Sequence, residues 1–199
     1  ALLASRSLHA ARFLRIADWF AAWDRGRRAN LKTLHAEIDG RIAIPVGERI
    51  FTLTARADRI EQLVDGRFAI LDYKTGSKRT EKQVRTGLAP QLTLEAAILR
   101  QKGFKAIPEG GSVADLVYVT LKGGSPAGEE CVIPFTDGNT TDDHADRALS
   151  RLPGVIAQFE NEATPYRSLV HPMWKTSYGD YDHLARVKEW SLGGGGDDE

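Results

Sequence analysis

Cysteine is almost missing from this chain: Cys131 stands alone, which excludes an internal disulfide and any cysteine-built zinc or iron–sulfur centre. No apolar run approaches the roughly 20 residues needed to span a bilayer. Arg6 and Arg12 interrupt the opening residues before they could form the apolar stretch of a signal peptide. Together these absences point to a reducing, cytoplasmic setting. An excess charge of either sign is lacking too, with 27 Lys and Arg against 27 Asp and Glu, so no global basic field advertises a nucleic-acid partner. The phosphate-cradling pattern G-x-x-x-x-G-K-[ST] does not occur, and with it goes a P-loop ATP site. Internal repeats are absent as well.

What is present is the composition of a folded protein, 42% hydrophobic and 27% charged over 199 residues, long enough to bury a core without disulfides or structural metals. The first residue is Ala1 rather than Met and lies directly in a helical pattern, so the expectation is a fragment of something larger. Residues 5–28 carry a helical period through Leu8, Phe13, Ile16, Phe20 and Trp23. Asp24 and the arginines Arg25, Arg27 and Arg28 are expected to face outward at its end. Gly40 and Pro45 break the following stretch, leaving residues 37–44 as a first strand.

Residues 51–63 and 67–73 read as a β-hairpin around Asp65-Gly66. A polar, basic connection containing Lys78, Arg79, Lys82 and Arg85 follows. Pro90 opens a helix, Gly103 ends it, and Leu92, Ala96 and Leu99 form its apolar stripe. Strands at 113–121 and 131–135 and a helix at 142–160 come next. The order predicts an α/β fold, a mixed central β-sheet flanked by helices. Residues 1–163 form its core, and 164–199 an extension with a short helix near 181–190.

The informative residues are Ala57-Asp58-Arg59-Ile60 and Leu71-Asp72-Tyr73-Lys74-Thr75-Gly76. A carboxylate at the end of an apolar strand must be paired, hydrogen-bonded or bound to a metal. Asp72 and Lys74, two apart on a strand, point to one face. There the carboxylate can hold a hard divalent cation through oxygen. The lysine can orient or deprotonate a water, or neutralise charge building on a phosphate.

Whether Asp58 joins them depends on register. A two-residue Asp65-Gly66 loop sets Asp58 opposite Tyr73, on the wrong side. A three-residue loop, Val64-Asp65-Gly66 with Gly66 left-handed, sets it opposite Asp72. Facing aspartates repel unless a cation lies between them, which favours the second register. An ordinary surface Asp–Lys ion pair is the plainer alternative, since D-x-K at a strand end is frequent by chance.

A-D-R-I, then D-Y-K-T-G, then Pro90-Gln91-Leu92 at a helix start resembles the RecB-type branch of the PD-(D/E)XK nucleases, whose fold is restriction-endonuclease-like. Ile16-Ala-Asp-Trp-Phe20, Arg27-Arg28 and the tail from Tyr178 to Trp190 resemble the C-terminal portion of the bacterial AddB-type double-strand-break-repair protein. The resemblance implies a nuclease domain in a helicase–nuclease that resects DNA ends, partnered by an AddA-type subunit and fed single-stranded DNA. It implies Mg2+ or Mn2+ held by Asp58, Asp72 and the main-chain carbonyl of Tyr73, with Lys74 catalytic and Gln91 assisting near the phosphate. Two departures accompany it. The family's pattern has Tyr four residues after the Gln, and here Glu95 stands there. The family's histidine ligand in a Gly-x-x-x-His setting has no match, since His9 and His35 lack those surroundings, and is expected upstream of Ala1.

Lesser candidates remain. Glu37 reads as a structural strand residue before an auxiliary ligand, with His35 as a further option. His144, His171 and His183 read as loop or helix-surface residues. Trp174, Tyr178 and Tyr181 read as aromatics pinning the tail before platforms for unpaired bases. The cluster Arg25, Arg27 and Arg28 reads as a solvated face before a nucleic-acid site, and a solvated face is also the plain reading of Lys74, Lys78, Arg79, Lys82 and Arg85. Against the nuclease reading stand a non-catalytic domain of the same fold, used for DNA channelling or subunit docking, and a structure-selective resolvase.

Overall fold

The computed structural model describes residues 2–76 and 78–165. By its contacts the chain divides into two units, residues 1–157 and 158–199. In the second, the described residues are the end of a helix and a turn closed by Thr164 N–H on the Asn161 carbonyl at 2.9 Å. The tail helix expected near 181–190, with His171, Trp174, Tyr178, Tyr181 and His183, lies outside the described residues.

In chain order the elements are α1 (Leu2–Arg28), β1 (Leu31–Val46), β2 (Arg49–Leu63), β3 (Phe68–Lys74), α2 (Glu81–Arg85), α3 (Gln91–Arg100), β4 (Val113–Leu121), β5 (Gly128–Val132) and α4 (Thr141–Glu160). The strands form one mixed sheet in the order β1-β2-β3-β4-β5. β3 and β4 are parallel, joined by the crossover carrying α2 and α3, and the other neighbours are antiparallel. This is the α/β architecture with a mixed sheet flanked by helices that the element order predicts.

The two sheet faces have different chemistry. Alternation along β3 sends Ala69 and Leu71 to one side, where they join Val117 and Val119 under Trp19, Trp23 and Tyr73. On that side Arg59 and Glu61 are buried, and α1 is tied down by charge. The Arg59 guanidinium donates to Asp24 at 2.7 Å, and Arg27 donates to Glu61 and to Glu130, both at 2.7 Å. Asp24 and Arg27 therefore do not face outward as expected. They lie where α1 meets the sheet, because the buried Arg59 and Glu61 demand partners. Phe68, Ile70 and Asp72 point to the opposite side, toward the buried Leu92, Ala96 and Leu99 of α3.

Several local expectations are corrected. β1 runs through Gly40 and Pro45 without a break. A Cβ at Gly40 would lie 2.5 Å from the Phe104 ring, so this glycine serves a close approach. Pro45 is tolerated because β1 is an edge strand. The basic connection contains α2, started by a capping box in which Thr80 and Gln83 satisfy each other's backbone N–H. At the end of α3, Lys102 rather than a glycine takes the left-handed position, at φ 60°, while Gly103 donates back to the Ile98 carbonyl. β5 begins three residues before Cys131 and ends at Val132. His144 is buried rather than on a helix surface, stacked on Phe135 at 3.8 Å and bonded to Asp137.

Candidate active site

The hairpin carrying the aspartates turns through Val64-Asp65-Gly66. Gly66 lies at φ 88° and donates to the Leu63 carbonyl, and Leu63 N–H donates to the Arg67 carbonyl at 2.8 Å. A side chain at that φ is disfavoured, so the glycine fixes the turn type, and the turn fixes the register. Arg59 pairs with Leu71 and Ile60 with Ile70. Continued by one step, that register sets Asp58 opposite Asp72. The regular ladder stops there, and the Asp58 side chain takes over: its Oδ2 accepts the Tyr73 N–H at 3.0 Å.

Asp72 is 3% exposed at the end of β3, opposite Tyr118 of the parallel strand. Lys74 Nζ donates to its Oδ1 at 3.0 Å and lies 2.7 Å from its Oδ2, too poorly aligned there for a hydrogen bond. Gln91, the first residue of α3, donates from Nε2 to the same Oδ1 at 2.7 Å, and its Oε1 lies 3.4 Å from Lys74 Nζ. Asp58, Asp72, Lys74 and Gln91 are thus brought together by the end of the hairpin and the start of α3.

The residue that sequence reasoning set aside is Glu95. One turn after Gln91 it is 3% exposed, its Oε1 accepting from Gln91 Nε2 at 3.2 Å. Burial pushes its carboxyl up to about 8, with Asp72 and Asp58 adding repulsion against the Gln91 hydrogen bond. Burial likewise raises Asp72, opposed by Lys74 and reinforced by Asp58. The Tyr118 phenol is pushed up to about 12 by burial and by the nearby Asp72. A signal was available for Glu95: it falls inside the stripe Leu92, Ala96 and Leu99, where a helix has no use for an acid unless something receives it.

Glu37 is held by a different partner. It stands at φ 53°, and its exposed carboxylate pairs with Arg56 at 2.9 Å. His35 pairs in register with Ile60 of β2. In the basic connection Lys78 is paired with Glu129 and Arg85 with Glu81.

A scan against family models matches residues 3–171 to the PD-(D/E)XK nuclease superfamily. The chain belongs to that superfamily, and the mixed sheet with flanking helices is its restriction-endonuclease-like fold. An uncharacterized protein of Rickettsia bellii is 28% identical over 174 residues, which is 83% of this chain and 20% of that protein. One of Rickettsia typhi is 38% identical over 85 residues, 43% of this chain and 10% of that protein. The chain spans about a fifth of the length of the first of these relatives. The crystal structure of SSO0001 covers 80% of this chain and 70% of its own, at 14% identity and a TM-score of 0.40.

The superfamily's chemistry rests on a divalent cation, and the residues here fit one. Asp72 Oδ2 and Glu95 Oε2 are buried without a hydrogen-bond partner, and all the acidic donors are hard oxygens. Among the described residues no group of three or more His, Cys, Asp or Glu side chains is placed to hold a metal ion. The cation would be held by Asp58 and Asp72.

Proposed function

We propose that this chain is a divalent-metal-dependent deoxyribonuclease domain that hydrolyses phosphodiester bonds at Asp58, Asp72, Lys74 and Gln91. One observation carries the reading: a buried aspartate at a strand end, facing a second aspartate, holds a lysine and a glutamine on one oxygen. An ordinary surface ion pair would not be 3% exposed or share its oxygen with a helix-borne amide. Mg2+ or Mn2+, coordinated by the two aspartates and the Tyr73 carbonyl, would polarise the phosphate and lower the pKa of a bound water.

The chain's own groups supply the rest. Lys74 has three donors and a side chain 29% exposed, so it can stay on Asp72 while reaching a phosphate oxygen or the attacking water. Gln91 orients Asp72 through Nε2, leaving Oδ2 to the Lys74 ammonium at 2.7 Å. A non-catalytic domain of the same fold would have no physical need to bury Asp72 beside Asp58.

The finer reading is exonucleolytic action on a single strand delivered by a motor, within a cytoplasmic bacterial AddB-type protein partnered by an AddA-type subunit in break repair. The motifs quoted from α1 and the tail support it. So does the chain's small share of its relatives, which leaves them room for other domains. No helix among the described residues is long and apolar enough to cross a membrane. The test is cleavage of end-labelled single-stranded DNA at low salt with Mn2+ or Mg2+. Metal-dependent products that vanish in EDTA and in Asp72→Asn support the reading. Products that persist in Asp72→Asn overturn it.

A further inference from the structure

We propose that Glu95 is drawn in as a third carboxylate ligand when a cation binds at Asp58 and Asp72, an inference that rests on the metal-dependent reading above. Three observations converge on it. Glu95 is almost wholly buried and its Oε2 has no hydrogen-bond partner. An unpartnered carboxylate oxygen in an apolar setting costs several kcal/mol in general unless a cation or donor meets it. Second, Glu95 and Asp72 are bridged by a single atom: Gln91 Nε2 donates to Asp72 Oδ1 at 2.7 Å and to Glu95 Oε1 at 3.2 Å. Gln91 thus holds each carboxylate by one oxygen; the second oxygen of Glu95 is buried without a partner, and that of Asp72 has the Lys74 ammonium 2.7 Å away. Third, Asp58 and Asp72 alone leave much of a roughly six-coordinate shell to other ligands, and Glu95 is the remaining buried acid on this face of the sheet among the described residues.

Gln91 thereby acquires a definite task. It sets the spacing of two carboxylates that would otherwise repel, and it does so from the first turn of the helix that carries Glu95. Lys74 completes the balance, with Nζ on the Asp72 side of the group.

The experiment is a Mn2+ titration of the intact protein, followed by the paramagnetic resonance of free Mn2+, on wild type, Asp72→Asn and Glu95→Gln. Circular dichroism verifies the fold of each. Glutamine keeps an Oε1 acceptor for Gln91 and replaces the proposed ligand oxygen with an amide nitrogen that cannot take its place. The expected result is tight binding by wild type, no measurable binding by Asp72→Asn, and binding at least 10-fold weaker in Glu95→Gln. Binding by Glu95→Gln within twofold of wild type overturns the Glu95 assignment and leaves the metal reading standing. A wild-type protein that binds no Mn2+ overturns that reading as well. Should Glu95→Gln fail to fold, infrared difference spectra of wild type with 13C-labelled glutamate decide the matter. A Mg2+-induced shift of a labelled glutamate carboxylate band supports the ligand, and a difference spectrum with unlabelled bands alone overturns it.

Discussion

Asp58 accepts the Tyr73 backbone N–H at 3.0 Å, so one candidate metal ligand is anchored to the residue next to the other. That bond ties the end of β3 to Asp58 where the backbone ladder has ended. Two substitutions separate the structural role from the chemical one. Asp58→Asn keeps an acceptor for Tyr73 and should melt within a few degrees of wild type while losing about 100-fold or more in cleavage rate. Asp58→Ala should lose the same activity and in addition about 1 kcal/mol of stability, the net worth of a hydrogen bond. Chemical denaturation beside a cleavage assay checks both. An active Asp58→Asn protein would remove Asp58 from the site.

Lys74→Ala should abolish most cleavage, by about 100-fold or more, with little change in unfolding free energy. Gln91 keeps its hydrogen bond to Asp72 in that variant, and burial already raises the Asp72 carboxyl, so it can take up a proton rather than remain an uncompensated charge. Cleavage at the wild-type rate with Mg2+ would show that the assigned role is wrong.

Glu95 makes stability pH-dependent in an unusual direction. Its folded-state value of about 8 lies above the ordinary 4.5 of a glutamate, so between those values the folded chain holds a proton that the unfolded chain has released. Stability from this group is fully present below about 4.5 and is lost as pH rises toward 8. In EDTA, denaturation midpoints should fall across that window in wild type, and Glu95→Gln should flatten the slope. Equal slopes for the two proteins would contradict the assignment of the proton to Glu95.

The charge network on the other face should behave as a structural tie. Arg59 is buried between Asp24 and Glu61, and removing one member of such a group leaves an uncompensated charge. Arg59→Leu should destabilise by about 3 kcal/mol, the lower end of the usual range because Arg27 still partners Glu61. Adding Glu61→Leu should restore part of the loss. A double substitution less stable than Arg59→Leu would contradict this account.

Much of this was legible in the residues. Asp65-Gly66 between strand-like runs gave the hairpin, and the repulsion of facing aspartates selected the register that the turn adopts. Asp72, Lys74 and the opening of α3 at Gln91 were readable because their spacing maps directly onto one strand and one helix start. The burial of Glu95 beside Gln91 was harder to read, because an acid inside an apolar stripe shows where it points only once the helix is packed on the sheet. Asp24 and Arg27 were misplaced for a different reason. Their partners Glu61 and Glu130 come from other elements, and pairing over such separations leaves no local mark. His144 was misplaced likewise, its burial depending on Phe135 and Asp137.

The central claim, a divalent-cation site made by facing aspartates, is tested most directly by anomalous diffraction from crystals soaked in Mn2+. The account predicts a peak between the carboxylates of Asp58 and Asp72, beside Glu95 and within reach of the water that Lys74 would orient. Well-ordered density for both aspartates with no peak between them, or a peak only at another site, would contradict it.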